Sequence, residues 1–195
     1  MKKMWRIFAL LVFFTSGCAF NEENTVSVVD LTEREEAILS TVSDHSFLFD
    51  FTADSEYKEL TVWVDKYESG KLVEKKFSNM TIPIEQDGMV IYTTVNNNDK
   101  SNLYNLAISS GGSTASSRGP DPTSAGLEKM MSVWGTIPEK ITFGEEEVVL
   151  ASICYSDSET GVSSLPEEFY ENVEGHKNEL EDYDVAYLLK AEFKK

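Results

Sequence analysis

Apolar and polar residues alternate along most of the chain beyond residue 45, which is the period of strands with one buried face. Turn residues separate the alternating runs at intervals that suit strands. The runs that predict strands are 47–51, 60–67, 71–77, 89–95, 103–109, 148–155 and 185–193. Leu127–Trp134 fits either a strand or a short helix. This pattern predicts a mostly β protein, an antiparallel β-sandwich of immunoglobulin-like arrangement.

The pattern is helical only near the start of this region. Thr32 is a candidate N-cap, and Glu35 stands three residues later, which is the spacing of a capping box. Ile38, Leu39 and Val42 then supply apolar positions on a helical period. We therefore expect one short N-terminal helix of about three turns.

The clearest hairpin joins the runs 60–67 and 71–77 through the loop Glu68-Ser69-Gly70, where glycine can take a positive φ. Trp63 and Tyr67 share one face of the first run, on either side of Asp65, because strand side chains alternate. If that face is exposed, Trp63 and Tyr67 form a stacking surface for a sugar or a partner protein. If it is covered, both rings pack beneath a helix or a loop. We prefer the second alternative and keep the first as the binding hypothesis.

Two stretches lack a strand pattern. Residues 109–122 are rich in serine, glycine and proline, a composition typical of a long mobile loop. Residues 156–182 suit one or two helical turns. The sequence thus predicts a sandwich interrupted by two irregular connections.

The first residues have the three-part order of a secretory signal peptide. Three basic residues come first, the eight residues of Ile7–Phe14 are all apolar, and Thr15–Gly17 are small. The apolar run is far shorter than the ~20 residues that a membrane-spanning helix needs. We therefore expect residues 1–17 to be a signal peptide, and no transmembrane segment in the chain.

Cys18 follows directly, and the run Thr15-Ser16-Gly17-Cys18 resembles the lipobox of bacterial lipoproteins. The resemblance implies that Cys18 receives a diacylglyceryl group before the signal is removed. Thr15 stands where that motif usually has leucine. In this interpretation residues 18–30 are the lipidated cysteine and a tether, and residues 31–195 form one sandwich domain. The lipid holds the protein to the cell membrane, on its extracytoplasmic face.

The net negative charge of the chain agrees with an exported protein and argues against a nucleic-acid partner. The chain has 34 acidic and 17 basic residues and a formal charge of −17. Loss of three basic residues with the signal gives −17 − 3 = −20. We expect no nucleic-acid partner, because phosphate binding needs a basic surface. The membrane, through lipid, and envelope proteins or glycans are the partners that remain, and the oligomeric state is open.

Motifs for catalysis or metal binding do not emerge. Cys154 lies in an apolar strand pattern and is expected to be a small buried hydrophobe. No Cys-x-x-Cys pair exists and the two histidines are His45 and His176, so a zinc site is not supported, and no cofactor or metal is expected. His45 is interpreted as a surface or rim histidine. The acidic runs, Glu145–Glu147 among them, are interpreted as solvated surface.

Two classes of function fit these observations, and no catalytic residue is assigned. The first is a membrane-anchored extracytoplasmic lipoprotein that acts as a binding or interaction module. The alternative is a cell-envelope hydrolase, which needs two carboxylates that converge on a cleft. A structural role in an envelope assembly is a third reading and requires an exposed apolar patch.

Overall fold

The computed structural model of the chain describes residues 24–97 and 101–195. Within them are eleven strands, three short α-helices and two 3₁₀ helices. The elements in chain order are β1 (Thr25–Val28), α1 (Glu33–Ser40), β2 (His45–Thr52), β3 (Glu59–Glu68), β4 (Lys71–Pro83), β5 (Asp87–Asn97), β6 (Ser101–Ser110), β7 (Ser113–Asp121), a 3₁₀ helix (Leu127–Lys129), β8 (Met131–Thr136), β9 (Lys140–Thr142), β10 (Val148–Ser156), α2 (Glu167–Glu171), α3 (Val173–His176), a 3₁₀ helix (Lys177–Asp182) and β11 (Val185–Lys194).

The strands form two antiparallel sheets, so the prediction of a mostly β sandwich is confirmed. The six-stranded sheet has the order β7-β6-β5-β2-β1-β9, and the five-stranded sheet has the order β4-β3-β11-β10-β8. Both sheets are larger than the four and three strands of an immunoglobulin constant domain. All seven strand runs predicted from the alternation are strands in the structure.

The core lies between the inner faces of the two sheets and is rich in aromatic rings. Phe51 of β2 meets Phe193 of β11 with ring centroids 5.5 Å apart. Tyr104 of β6 meets Tyr187 of β11 at 5.2 Å. These inward residues are almost fully buried. Burial of such large apolar side chains supplies most of the stabilisation of a sandwich, at roughly 25 cal/mol per Å².

The predicted helix is α1, and its capping box is present. The Thr32 hydroxyl accepts from the backbone N–H of Glu35, and the Glu35 carboxylate accepts from the backbone N–H of Thr32 at 2.8 Å. This reciprocal pair satisfies donors that the first turn of a helix otherwise leaves free.

The predicted mobile loop over residues 109–122 is wrong, because most of it is strand β7. Ser110 pairs with Ser113, so β6 and β7 are joined by the two residues Gly111 and Gly112. Their φ values are 56° and 74°. Two consecutive positive φ angles define the tight turn that matches the twist of a hairpin, and glycine adopts them without strain.

The predicted tether over residues 18–30 is also wrong from Thr25 onward. Thr25–Val28 is strand β1, which lies between β2 and β9 in the six-stranded sheet. Val26 is fully buried and faces the core. A four-residue strand is too short to show alternation by itself, and its two neighbours stabilise it. The earlier part of the predicted tether, with Cys18, lies outside the described residues.

Two further segments differ in detail from the prediction. Glu68 pairs with Lys71, so the β3–β4 hairpin has a two-residue loop, with Ser69 and Gly70 both at positive φ. Leu127–Trp134, ambiguous from sequence, contains a 3₁₀ turn followed by most of β8.

Residues 157–184 cover the outer face of the five-stranded sheet with short helical turns. The Tyr170 and Ser152 hydroxyls lie 2.8 Å apart, which joins α2 to β10. The Tyr183 hydroxyl donates to the Ser163 carbonyl at 2.7 Å. Phe169 and Leu180 are fully buried in this layer. The domain therefore has a partial third layer, which the sequence showed only as one or two helical turns.

Candidate functional site

The structure buries the two aromatic residues that the sequence offered as a binding surface. Trp63 is 0% exposed and Tyr67 is 3% exposed. They do share one face of β3, as the alternation predicted, and that face points away from the core. That face is covered, so the hypothesis of an exposed stacking surface at Trp63 and Tyr67 is wrong, and both rings are packed.

Charged side chains do much of this covering. The Lys76 ammonium lies 3.9 Å from the centroid of the Trp63 ring. Lys76 has φ 55° at an irregularity of β4, and its backbone N–H donates to the Asp65 carboxylate at 2.9 Å. The Lys190 ammonium lies 3.2 Å from Asp65 and 2.8 Å from Glu147. The outer face of β3 is therefore an ordered polar and aromatic cluster and offers no open surface.

A different tryptophan is exposed. Trp134 of β8 is 55% exposed, and its ring centroid lies 4.7 Å from that of His45 with the planes at 69°. Trp134 pairs with Ile153 of β10, and paired residues share a face, so Trp134 is on the core side of the sheet. It remains accessible because β8 is the edge strand.

Beside Trp134, a cleft of about 200 Å³ opens between the two sheets at one end of the sandwich. We name it the His45 cleft. Its position follows from the topology, because β2 and β6 begin at this end whereas β5 and β10 finish here. The lining residues are Asp44, His45, Thr94, Asn96, Asn102, Leu127, Glu128, Met130, Ser132 and Tyr155.

Polar side chains on five strands meet in the His45 cleft. The Nδ1 of His45 lies 2.9 Å from the Thr94 hydroxyl. The Asn102 amide donates to the Tyr155 hydroxyl at 3.3 Å. Ser132 pairs with Tyr155 across β8 and β10 and so shares its face. The cleft therefore presents neutral hydrogen-bonding groups beside an exposed indole ring.

Electrostatics keep His45 uncharged at neutral pH. Loss of hydration lowers the pKa of His45 below its ordinary value of 6.5, and the nearby Asp44 carboxylate opposes this in part. Burial raises the pKa of Tyr155 to about 12, so its hydroxyl keeps its proton. In the described part of the chain, the cleft lining includes two acidic residues and neither lysine nor arginine.

A buried network supports the cleft from within. The Asp121 carboxylate accepts from the Lys66 ammonium at 3.1 Å and from the Tyr187 hydroxyl at 2.6 Å. The Asp121 carbonyl accepts from the Ser124 hydroxyl at 2.7 Å, and that hydroxyl accepts from the Asn102 backbone N–H at 2.6 Å. These bonds tie both sheets to the residue that positions the Tyr155 hydroxyl.

Asp121 stays ionised in this setting. Burial by itself raises the pKa of Asp121, but hydrogen bonds from Thr123 and Tyr187, with the charge of Lys66, outweigh burial and hold the pKa below its ordinary value. A buried carboxylate that accepts several hydrogen bonds is held rigidly. We therefore expect the floor of the His45 cleft to be ordered before a ligand arrives.

The acidic run Glu145–Glu147 lies against a separate cavity of about 650 Å³, also lined by Glu171, Glu174 and Glu192. The side chains of Glu145 and Glu147 are 71% and 47% exposed. The Glu147 carboxylate binds the Lys190 ammonium at 2.8 Å, and Glu145 lies 3.7 Å from that of Lys195. We call this cavity the acidic cavity.

Three further features bear on function, namely the Cys154 thiol, metal binding and membrane-spanning helices. Cys154 is fully buried, as predicted, and burial raises the pKa of its thiol to about 12. Among residues 24–97 and 101–195, no group of three or more histidine, cysteine, aspartate or glutamate side chains is arranged to hold a metal ion. In the same residues, no helix has the length and apolar character needed to cross a membrane.

Sequence reasoning placed His45 at a surface or rim, which is where it lies, but did not identify the cleft. Trp134 stands in the one segment whose structure was ambiguous from sequence, and His45 is 89 residues before it. From the sequence, Trp134 is recognisable only as a tryptophan in a short strand pattern next to a turn. That pattern does not identify His45 as the residue that the Trp134 ring contacts.

Comparison with known proteins yields one finding. The family model described as the YgaN domain matches residues 25–193. The match begins at the first residue of β1 and ends within β11, so it has nearly the same extent as the described sandwich. No curated protein and no solved structure matches the chain.

Proposed function

The chain belongs to the YgaN domain family, and we propose that it is a lipoprotein binding module of the cell envelope. Lipid on Cys18 holds it at the extracytoplasmic face of the membrane, and the His45 cleft is its binding site. The observation that carries the binding role is the exposure of Trp134 against His45, a residue that lines a polar cleft.

An exposed indole beside a cleft supports binding for a physical reason. A large aromatic ring left in water loses the apolar burial that it would gain elsewhere. Ligand sites combine such rings with a few placed polar groups in a concavity. Trp134, His45 and Tyr155 supply this combination within one small region. The other tryptophan of the described residues, Trp63, is fully buried.

The position of β1 supports the proposed anchor. Five residues lie between Cys18 and Asn24, and a chain of this length spans at most about 20 Å. Thr25 pairs with Thr52 at the end of β2, whereas His45 begins β2. The eight-residue strand separates these ends by roughly 24 Å. A lipid at Cys18 would thus hold the domain close to the membrane with the His45 cleft at the far end.

The acidic cavity favours the second candidate, an envelope hydrolase, because glutamates line one concavity. Carboxyl catalysis needs one carboxylic acid that stays protonated, which proteins achieve by burial. Glu145 and Glu147 are instead half-exposed or more and lie beside lysines, so neither is enclosed as a carboxylic-acid catalyst would be. We therefore favour the binding module over the hydrolase.

The anchor is tested by replacing each cysteine in turn. In cells given a fatty-acid probe, we expect the parent chain to be labelled and Cys18→Ala to lose the label and leave the membrane fraction. Cys154→Ala is the matched control and should keep both, because its thiol is buried. Equal labelling of Cys18→Ala and the parent would refute the anchor.

The binding role is tested at Trp134. After cross-linking in intact cells, we expect the parent to co-purify with an envelope component that Trp134→Ala fails to retain. Met131→Ala removes another exposed apolar side chain from β8 and serves as the control. Identical recovery by the parent and Trp134→Ala would show that the cleft is not the binding site.

A further inference from the structure

We propose that Lys190 and Asp65 condense with each other, so that an amide bond joins strand β11 to strand β3. This cross-link goes beyond the proposed binding role and does not depend on it. Four observations carry it, namely the burial of both side chains, the contact between them, a backbone donor on the Asp65 carboxylate, and a second carboxylate that can take a proton from Lys190.

Both charged groups are buried. The side chains of Lys190 and Asp65 are 6% and 1% exposed. Lys190 pairs with Trp63 across β11 and β3, so these residues share the outer face of the five-stranded sheet. A buried ion pair loses hydration that its mutual attraction often fails to repay. Conversion of the pair to a neutral amide removes both charges, so burial favours the product.

The reacting groups are held close together. Lys190 Nζ lies 3.2 Å from Asp65 Oδ2, and the carbon that Nζ attacks is one bond from that oxygen. Reacting atoms in a productive arrangement lie about 3–3.5 Å apart. The register fixes this approach, because Leu188 pairs with Asp65 and Lys190 is two residues further along β11. The strand pairing thus makes the condensation intramolecular and removes the cost of bringing its partners together.

A backbone donor is aimed at the Asp65 oxygen on which charge develops. The backbone N–H of Lys76 donates to Asp65 Oδ1 at 2.9 Å. Lys76 has φ 55°, a conformation that a residue other than glycine keeps only where its surroundings hold it. When Nζ adds to the Asp65 carboxyl carbon, negative charge grows on Oδ1. A fixed N–H at that oxygen stabilises the transition state.

Glu147 is placed to take a proton from the lysine. Its Oε1 lies 2.8 Å from Lys190 Nζ. Burial lowers the pKa of Lys190, but the hydrogen bond to Glu147 and the nearby negative charges outweigh burial and raise it, so the reaction starts from an ammonium. Proton transfer to Glu147 gives the neutral amine that can attack. The cross-link forms once in each molecule, so Glu147 needs no lasting protonation for this role.

The reaction balances in atoms and charge. After Glu147 has taken one proton, the Nζ lone pair forms a bond to the Asp65 carboxyl carbon. Glu147 returns its proton to Oδ2, a second proton passes from Nζ to Oδ2, and the bond from carbon to Oδ2 breaks with loss of water. One hydrogen stays on the amide nitrogen, and Glu147 is again a carboxylate. No other reactant is consumed.

The other buried lysine–aspartate pair lacks part of this arrangement. Lys66 Nζ lies 3.1 Å from Asp121 Oδ2, which also accepts from the Tyr187 hydroxyl, while Thr123 donates twice to Oδ1. A carboxylate stabilised by so many donors is a poor electrophile. The Glu68 carboxylate lies 3.7 Å from Lys66 Nζ, beyond hydrogen-bond distance. We therefore expect this pair to remain ionic.

The test is peptide mapping of the full-length chain after denaturation and digestion with trypsin. Without the cross-link, Asp65 lies in fragment 59–66 and Lys190 ends fragment 178–190. With it, trypsin cannot cut after Lys190, because that side chain has lost its charge. Fragment 59–66 is then joined to fragment 178–194, and the mass of the pair is lower by one water than the sum of the two. We expect the joined pair in the parent.

Three variants separate the roles. Lys190→Arg keeps the positive charge and should abolish the joined pair. Glu147→Gln, at a half-exposed position, should lower the yield of the pair at least about tenfold. Glu145→Gln changes a more exposed glutamate of the same acidic run and is the matched control, with the yield of the parent.

Unjoined fragments 59–66 and 178–190 in the folded parent would overturn the proposal. An undiminished yield of the joined pair in Glu147→Gln would contradict it as well, and so would a link between Lys66 and Asp121 in place of the expected one. Urea denaturation shows whether each variant is folded. If Lys190→Arg does not fold, Glu147→Gln carries the same test at a position outside the core.

Discussion

Trp63 and Trp134 belong to the same five-stranded sheet and have opposite environments. Trp63 points away from the sandwich core and is fully buried, whereas Trp134 is on the core side and is 55% exposed. β3 has a strand on each side and a charged cluster above it, while in the described part of the chain β8 is an edge strand that pairs with β10 and with no other strand. The exposure of a tryptophan here therefore depends more on the position of its strand in the sheet, and on what packs over it, than on whether it lies on the core side of the sheet.

The cost of burying Trp63 is visible in its indole nitrogen. Among the described residues, the Nε1 of Trp63 has no hydrogen-bond partner. An unpaired buried donor costs about 1–3 kcal/mol. The ring is nevertheless buried under Lys76, so its apolar burial and its contact with the ammonium outweigh that cost. Within the described residues, no charged cluster covers Trp134 in this way, and the ring is 55% exposed.

The largest expected effect is on stability. Trp63→Ala should lower the free energy of unfolding by about 3–5 kcal/mol, as truncation of a buried Trp does. Trp134→Ala should lower it by less than about 1 kcal/mol, since the ring is half in water. Urea denaturation of both variants measures the difference. Similar midpoints for the two would contradict the comparison.

The next effect concerns the network beneath the cleft. Asp121→Asn should cost about 3 kcal/mol, because it removes the buried carboxylate 3.1 Å from the Lys66 ammonium and leaves that buried ammonium with the half-exposed Glu68 carboxylate at 3.7 Å. Asp50→Asn, on an exposed position of β2, is the control and should be nearly neutral. Urea midpoints at neutral pH check both.

The same residue gives a pH dependence with a defined sign. The folded-state pKa of Asp121 is lowered, so its stabilisation is present above the ordinary carboxyl pKa and is lost as pH falls through the folded-state pKa. Asp121→Asn should therefore lose part of the acid sensitivity of the parent. Unchanged acid unfolding curves would contradict this assignment.

The smallest effect is expected at His45. Its folded-state pKa is lowered, so stability is present above the ordinary value of 6.5 and is lost as pH falls through that value toward the folded-state pKa. We expect a small loss of stability on acidification from neutral pH, absent in His45→Gln. His176→Gln is the control, because His176 is not among the residues that line the His45 cleft and lies 2.7 Å from Glu179. The same acid dependence in His45→Gln and the parent would refute this role.

Local patterns predicted much of the fold. The capping box of α1 uses residues three apart, and the strands of β3 and β11 show their alternation over about ten residues. Such patterns lie within one segment, so they can be recognised without knowing which other segments pack against it. The strand β7 was missed because its residues are small and polar, although Gly111-Gly112 is a recognised hairpin signal. The strand β1 was missed because four residues carry no period.

The candidate site was less accessible to sequence reasoning. The hypothesis at Trp63 and Tyr67 placed both on the correct shared face, but the sequence contains no information on Lys76 folding back over the ring. The His45 cleft joins strands β2, β5, β6, β8 and β10, whose residues are far apart in the chain. Only strand pairing brings them together.

By itself the sequence determined the strand-rich character of the domain, the capped helix, the burial of Cys154 and the resemblance to a lipobox at Cys18. These features depend on residue type and on spacing within one segment, so they follow from local interactions that the sequence shows. The tertiary structure alone decided which tryptophan is exposed, that β8 is an edge, that His45 and Tyr155 line one cleft, and that the Trp134 ring packs against His45. Exposure depends on what packs over a side chain, and that is a property of segments distant in sequence.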